Sequence, residues 1–194
     1  MTALPEWLDP PPTHGWTVDD LDRLADDAPR HVEIIDGALI PTGPRTAFHG
    51  LMLKALENGL TRQKPKDLLV MREWTVVVAP PQGPEPDILV IPDALLRDPM
   101  QTRVDARHVL LAAEVVSADS RTRDYGRKRH LYAEAGIPHY WIIDYEQATK
   151  TTRISVYERD PGTEAYVATG LFHDVVEVKV PFPVVLDLSW SAIR

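Results

Sequence analysis

The chain has no cysteine in its 194 residues, so neither a disulfide nor a thiolate metal site can form. That absence fits a reducing compartment. No apolar run approaches the ~20 residues that a membrane helix needs. The first residues, Met-Thr-Ala-Leu-Pro-Glu-Trp-Leu-Asp-Pro, lack the basic start and apolar core of a signal peptide. Together these absences lead us to expect a cytoplasmic protein without a membrane partner. An excess of base is missing too: 21 Lys and Arg face 29 Asp and Glu, a net charge of −8. This argues against a generic basic nucleic-acid binder, whose affinity comes from neutralising phosphates. The chain also has no phosphate-cradling glycine loop, no His-Glu-x-x-His zinc spacing and no nucleophile elbow.

What is present is ordinary in bulk. The composition is 44% hydrophobic and 26% charged, as in many globular proteins. The length predicts one domain over residues 16–194, after an irregular, proline-rich segment at 1–15. One local basic cluster stands out against the acidic background: Arg121, Arg123, Arg127, Lys128 and Arg129, with Arg103 and Arg107 upstream. It reads either as a local patch or as a solvated helix face.

Thr17-Val-Asp-Asp20 resembles a capping box and predicts a short helix from Val18 to about Ala25. His31 to Ile40 reads as a hairpin turning at Asp36-Gly37. Leu51, Leu53, Leu56 and Leu60 anchor a helix over Thr46 to Gln63, stopped by Pro65. Strands follow at Leu68–Met71, Trp74–Val78 and Glu85–Ile91. Pro92 to Arg107 is polar, without periodicity, and reads as a surface connection. Val109–Val116 and His139–Asp144 are strands flanking a helix over Thr122 to Ala135, a β-α-β order that predicts local parallel pairing. The remainder is β-rich. The fold class is therefore α/β (α+β), a central mixed sheet flanked by helices with extra β-hairpins.

Three charged residues stand where a core prefers carbon. Asp87 and Glu114 are single carboxylates in apolar strands, and Lys128 lies in the apolar face of the intervening helix. A buried carboxylate must be paired, hydrogen-bonded or metal-bound, or it becomes neutral. At ~100° per residue, Asp124, Lys128, Leu131, Tyr132 and Ala135 share one side, with His130 and Ala133 turned away. Each acid alone could cap a loop or pair with an arginine, and Lys128 could sit in a structural ion pair. Together they fit a metal-dependent mechanism. Two carboxylates on adjacent strands can hold a hard divalent cation such as Mg²⁺. The ion polarises a phosphodiester and acidifies a bound water, which a lysine can orient. Paired carboxylates also serve glycoside hydrolysis, but that chemistry does not call for a lysine.

The same residues carry a resemblance. Glu33-Ile-Ile-Asp-Gly37, His49, Pro86-Asp87, Glu114-Val-Val-Ser117, Asp124-x-x-x-Lys128-x-x-x-Tyr132 and Ala135-Gly-Ile-Pro-His-Tyr-Trp-Ile-Ile-Asp144 occur in an ordered series. The chain resembles, over about residues 16 to 190, the Uma-type (Uma-two) restriction endonuclease family of the PD-(D/E)XK nuclease superfamily. The resemblance implies a restriction-endonuclease-like core. It also implies a metal site of Asp87, Glu114 and the Val115 carbonyl, taking Mg²⁺ or Mn²⁺. In the parent motif a lysine stands two residues after the second acid; here Val116 occupies that position. The Uma-type variant supplies the lysine from the next helix, where Lys128 matches it. Glu33 matches as a further acid and His49 as a phosphate or water contact. Tyr132 and Trp141 read as core. Where family members commonly carry Ser-Pro-Ser, this chain has Ser117-Ala-Asp-Ser120.

The expectation is thus a metal-dependent DNA endonuclease acting as a homodimer, the dimer resting on family analogy. The alternative is a catalytically weak nuclease-fold module that binds nucleic acid or protein. A third reading is a phosphodiesterase acting on RNA or a small substrate.

Overall fold

In the computed structural model, residues 13, 15–24, 28, 29 and 31–194 are described. The irregular segment expected at 1–15 and the helix end expected at Ala25 therefore fall largely outside the described residues. A 3₁₀ turn, Val18–Arg23, follows the Thr17 capping box, in which the Thr17 backbone N–H donates to Asp20 Oδ2 at 2.9 Å. Strands β1 (Val32–Ile35) and β2 (Ala38–Pro41) form the expected hairpin. Asp36 and Gly37 both take positive φ, 53° and 74°, as a tight two-residue turn requires.

Helix α1 (Ala47–Gln63) starts at Thr46, whose hydroxyl accepts the His49 backbone N–H at 3.2 Å. Its buried stripe is Met52, Leu53, Leu56 and Leu60, spaced at one helical face. Leu51, expected as an anchor, is half-buried, and Met52 takes its place. Each fully buried side chain contributes ~1.5–3 kcal/mol.

The remaining strands are β3 (Leu68–Arg72), β4 (Thr75–Val77), β5 (Ile88–Pro92), β6 (Arg103–Asp105), β7 (Leu111–Val115), β8 (His139–Glu146), β9 (Thr151–Arg159), β10 (Tyr166–His173), β11 (Val175–Val178) and β12 (Val184–Asp187). The central sheet has six strands in the order β10-β9-β8-β7-β5-β3. Only β7 and β8 pair in parallel, so the sheet is mixed. The segment joining them crosses one face of the sheet, as a parallel pair demands.

Strand alternation sorts the core into two faces. Ile88, Val90, Leu111, Ala113, Val115, Trp141 and Ile143 point toward α1 and the β11–β12 hairpin. Leu89, Ile91, Ala112, Val116, Tyr140 and Ile142 point the other way. By the same period of two, Asp87 and Glu114 belong to the second face. It is the face that the β7–β8 crossover covers, and this is what brings a lysine to two acids.

Two expectations are corrected. The connection Pro92 to Arg107 contains β6, which pairs in parallel with β4 and buries Val104. A three-residue strand with one inward residue leaves no alternation to detect. The crossover is also not one regular helix: a π turn, Arg123–Lys128, runs into α2 (Arg129–Glu134). Asp124, Lys128, Leu131 and Tyr132 still share the buried side and His130 is exposed, as expected. Ala133, expected to face away, is buried, and its carbonyl accepts from Arg159 Nε at 2.7 Å. A last short helix, α3 (Trp190–Ile193), packs beside α1. Among the described residues, no helix is long and apolar enough to cross a membrane.

Candidate active site

Asp87 immediately precedes β5, and Glu114 lies in β7, whose Ala113 pairs with Ile88. Antiparallel pairing therefore sets the two acids side by side on one face. The Val115 backbone N–H donates to Asp87 Oδ2 at 2.7 Å, which fixes the carboxylate against β7. The other oxygen, Oδ1, meets His49 Nε2 at 3.1 Å and the Arg45 guanidinium at 3.5 Å. Arg45 also pairs with Glu73, and His49 is carried in the first turn of α1.

Glu114 is 3% exposed, and two donors meet one of its oxygens. Lys128 Nζ lies 3.1 Å and the Tyr132 hydroxyl 2.8 Å from Oε1. Among the described residues both of these bonds fall on Oε1, so Oε2 stays available to another partner. Lys128 is buried as well and touches two further acids: Glu33 Oε2 at 2.8 Å and Asp124 Oδ1 at 3.8 Å. Asp124 is held from the far side by the Ser120 hydroxyl, which donates to Oδ2 at 2.5 Å. Arg123 Nε approaches Glu33 Oε1 at 3.6 Å.

The electrostatics follow from this crowding. Burial alone would lower the lysine pKa, but Glu114, Glu33 and Asp124 outweigh it and hold Lys128 protonated. One ammonium cannot satisfy three carboxylates. Burial pushes the Glu114 carboxyl well up, and its acidic neighbours Asp124, Asp87 and Glu33 add to the rise. Burial lifts Asp124 to about 6, against the pull of Lys128. Nearby Glu85 is raised to about 8 by burial and by Glu73 and Glu33. The cluster carries more acid than its fixed cations neutralise.

Most of these groups open on one small cavity of about 50 Å³, lined by Glu33, Arg45, His49, Glu85, Asp87, Glu114, Val115, Ser117, Asp119, Arg123 and Lys128, among others, with Asp124 and Tyr132 standing behind its wall. That is room for a few ordered waters, at roughly 10–15 Å³ each. Among the described residues, no three His, Asp or Glu side chains are arranged to hold a metal ion on their own. The donor chemistry is still that of a hard cation. Among the described residues Glu114 Oε2 is available, Asp124 Oδ1 behind the wall is buried without a hydrogen-bond partner, and the lining holds more carboxyls than fixed cations.

Every expected site residue reaches this cavity: Asp87, Glu114, Val115, Lys128, Glu33 and His49. Glu33 arrives as the closest acidic partner of Lys128. Sequence reasoning missed Arg45, Glu85, Ser120, Arg123 and the Tyr132 hydroxyl. Spacing carried a signal for three of them. Arg45 stands four residues before His49, Tyr132 one helical turn after Lys128, and Glu85 two residues before Asp87 in the run leading into β5. Trp141 is core, as read. Four arginines of the basic cluster and its upstream pair are held by acids of the chain. Arg121 binds Asp144, Arg127 binds Asp36, Arg103 binds Asp22, and Arg107 binds Asp105.

This fold has a solved counterpart. The chain is similar to "a putative nuclease belonging to DUF820" from Anabaena variabilis, with a TM-score of 0.64 at 17% identity, covering 85% of this chain and 89% of that one. The likeness defines the class by fold: a mixed α+β protein with a nuclease fold. The family model described as "Putative restriction endonuclease" (Uma2) matches residues 18–191, and the chain belongs to that family. No curated protein matches it.

Proposed function

We propose that the protein is a divalent-cation-dependent endonuclease that hydrolyses DNA phosphodiesters through a PD-(D/E)XK-type site whose lysine comes from the following helix. One observation carries this reading: Asp87, Glu114 and Lys128 converge on a single cavity whose lining holds five carboxyl residues against three fixed cations. Asp87, Glu114 and the Val115 carbonyl would hold Mg²⁺ or Mn²⁺. When bound, the ion supplies Lewis acidity to a phosphoryl oxygen and acidity to a water.

The chain's own groups do the rest. Lys128 stays protonated among Glu33, Glu114 and Asp124, and Nζ orients a water or a phosphoryl oxygen. It takes the part that a lysine at position 116 plays in the parent motif. The Val115 N–H and the Tyr132 hydroxyl hold the two acids in register. Arg45 and the buried His49, both beside Asp87, are the donors this reading assigns to a phosphate or a water. Residues 16–194 act as one domain in this reading. A homodimer belongs to it by family analogy. Sedimentation with and without DNA tests the assembly.

The function is tested on supercoiled, linear and single-stranded DNA with Mg²⁺ or Mn²⁺. Cleavage is expected, with loss on chelation and in Asp87→Ala and Glu114→Ala. Unchanged cleavage by both variants would sink the assignment. A second reading, a catalytically weak binding module, is favoured by one feature. Lys128, Tyr132, His49 and Arg45 already occupy carboxylate oxygens that an ion would need. Calorimetry separates the two readings: nucleic-acid binding without divalent-ion binding at millimolar concentrations selects the module.

A further inference from the structure

A second cavity opens next to the candidate active site. Its volume is about 550 Å³, within the ~300–1,000 Å³ range of small-ligand pockets. Phe48, Tyr145 and Trp190 line it, and Ser117 lines both cavities. The two cavities therefore share a wall at the loop that follows Glu114 and Val115.

The aromatic side chains come from three separate elements. Phe48 stands in the first turn of α1, Tyr145 near the end of β8, and Trp190 at the start of α3. They are tilted rather than stacked on one another. Phe48 and Tyr145 have centroids 5.0 Å apart at 43°, and Phe48 and Trp190 6.5 Å apart at 35°. All three are only partly buried. The polar part of the lining is Thr46, Ser117, Arg121, Asp144 and Gln147, a mixture of donors and acceptors. The Arg121 guanidinium binds Asp144 through two bonds of 2.7 Å, so the wall sets no unpaired carboxylate against an incoming phosphate. Its side chain is 51% exposed, while that of Asp144 is 4% exposed, so the cation is the outer partner.

We propose that this cavity is a subsite for an unpaired nucleobase of the nucleic acid being cut. The inference rests on the nuclease reading of the neighbouring site and adds the form of its substrate. A base has two apolar faces to set against tilted rings and a polar edge to meet Ser117, Thr46 and Gln147. Its backbone leads past Ser117 toward Asp87 and Glu114. An intact duplex keeps its bases in the stack, and extruding one costs free energy that a single-stranded or distorted segment does not spend. The subsite therefore selects single strands, mismatches or loops over regular duplex.

The test reads binding rather than cleavage. The full chain is titrated in chelator, at low salt, with fluorescent oligothymidylate, a strand of equal length built from abasic residues, and a regular duplex. The wild type is expected to prefer oligothymidylate to both others. Tyr145→Ala is expected to weaken oligothymidylate binding about 5- to 150-fold, equivalent to ~1–3 kcal/mol for one base on one aromatic ring. It should leave the abasic strand unaffected. Tyr145→Phe keeps the ring and should bind as the wild type does. Circular dichroism checks that each variant is folded. Equal wild-type affinity for oligothymidylate and the abasic strand overturns the subsite without any variant. So does a folded Tyr145→Ala that binds oligothymidylate unchanged. Absence of wild-type binding to every strand overturns the nuclease reading as well. If base-dependent binding persists where Asp87→Ala leaves cleavage intact, the subsite stands and the catalytic assignment falls. The same preference on oligouridylate extends the ligand to RNA.

Discussion

Lys128 Nζ lies 2.8 Å from Glu33 Oε2, closer than to either of its other acidic partners. A residue of the first hairpin thus holds the lysine of the β7–β8 crossover. The Asp36 turn of that hairpin grips the same crossover again, through Arg127 at 2.6 Å. Lys128→Met is expected to lose cleavage and also stability. Removing the cation leaves Glu33, Glu114 and Asp124 facing each other in the interior, at ~3–5 kcal/mol for a broken buried pair. Urea unfolding in chelator measures this. Added Mg²⁺ should recover part of the loss, because a bound cation replaces the missing charge. No recovery would argue that the acids do not share an ion.

Asp87→Asn and Glu114→Gln are expected to separate function from stability. Each replaces a carboxyl in a cluster with more acids than cations by a neutral amide, whose oxygen can still accept the Val115 N–H or the Tyr132 and Lys128 bonds. Cleavage should fall at least about a hundredfold, the scale of losing one group that acts directly on the reacting centre. Thermal stability in chelator should hold or rise by about 1 kcal/mol. A large stability loss with cleavage retained would mark these acids as structural.

The sequence disclosed the site better than it disclosed the segment that builds it. Asp87, Glu114 and Lys128 were legible because a lone charge in an apolar run has few inexpensive explanations. The hairpin and the parallel pair were legible from Asp36-Gly37 and from the strand–helix–strand order. The π turn was not, since hydrophobic periodicity fixes a helix but not the size of one of its turns. Strand β6 offered a single inward residue. The Glu33–Lys128 contact is tertiary, between segments whose approach no local pattern encodes. The Tyr132 hydroxyl was hidden for another reason. Its ring is core, and only the buried partner reveals that the last atom belongs to the site.

Tyr132→Phe isolates that last atom. The ring and its edge contact with Tyr140 remain, with centroids 5.3 Å apart. Only the bond to Glu114 Oε1 is lost. The stability cost is expected near ~0.5–1.5 kcal/mol, the net worth of one hydrogen bond. If the hydroxyl positions Glu114, the variant should also require more Mg²⁺ for half-maximal cleavage while the maximal rate changes less. A stability loss without that metal shift would make the hydroxyl a core tether only.

Asp124 supplies a pH signature with a defined sign. Burial raises its folded pKa from 3.8 to about 6, with Lys128 opposing the rise. Between those values the folded protein binds a proton at Asp124 that the unfolded chain releases. The contribution is therefore complete below pH 4 and is lost as pH rises through about 6. One proton over that window corresponds to at most ~3 kcal/mol at 1.36 kcal/mol per pH unit. Asp124→Asn cannot titrate there, yet its amide oxygen can still accept from Ser120. The difference in unfolding free energy between variant and wild type, followed by urea titration from pH 4 to pH 7, should move in favour of the variant as pH rises. A flat difference would mean that Asp124 is already ionised at pH 4, its charge balanced by Lys128.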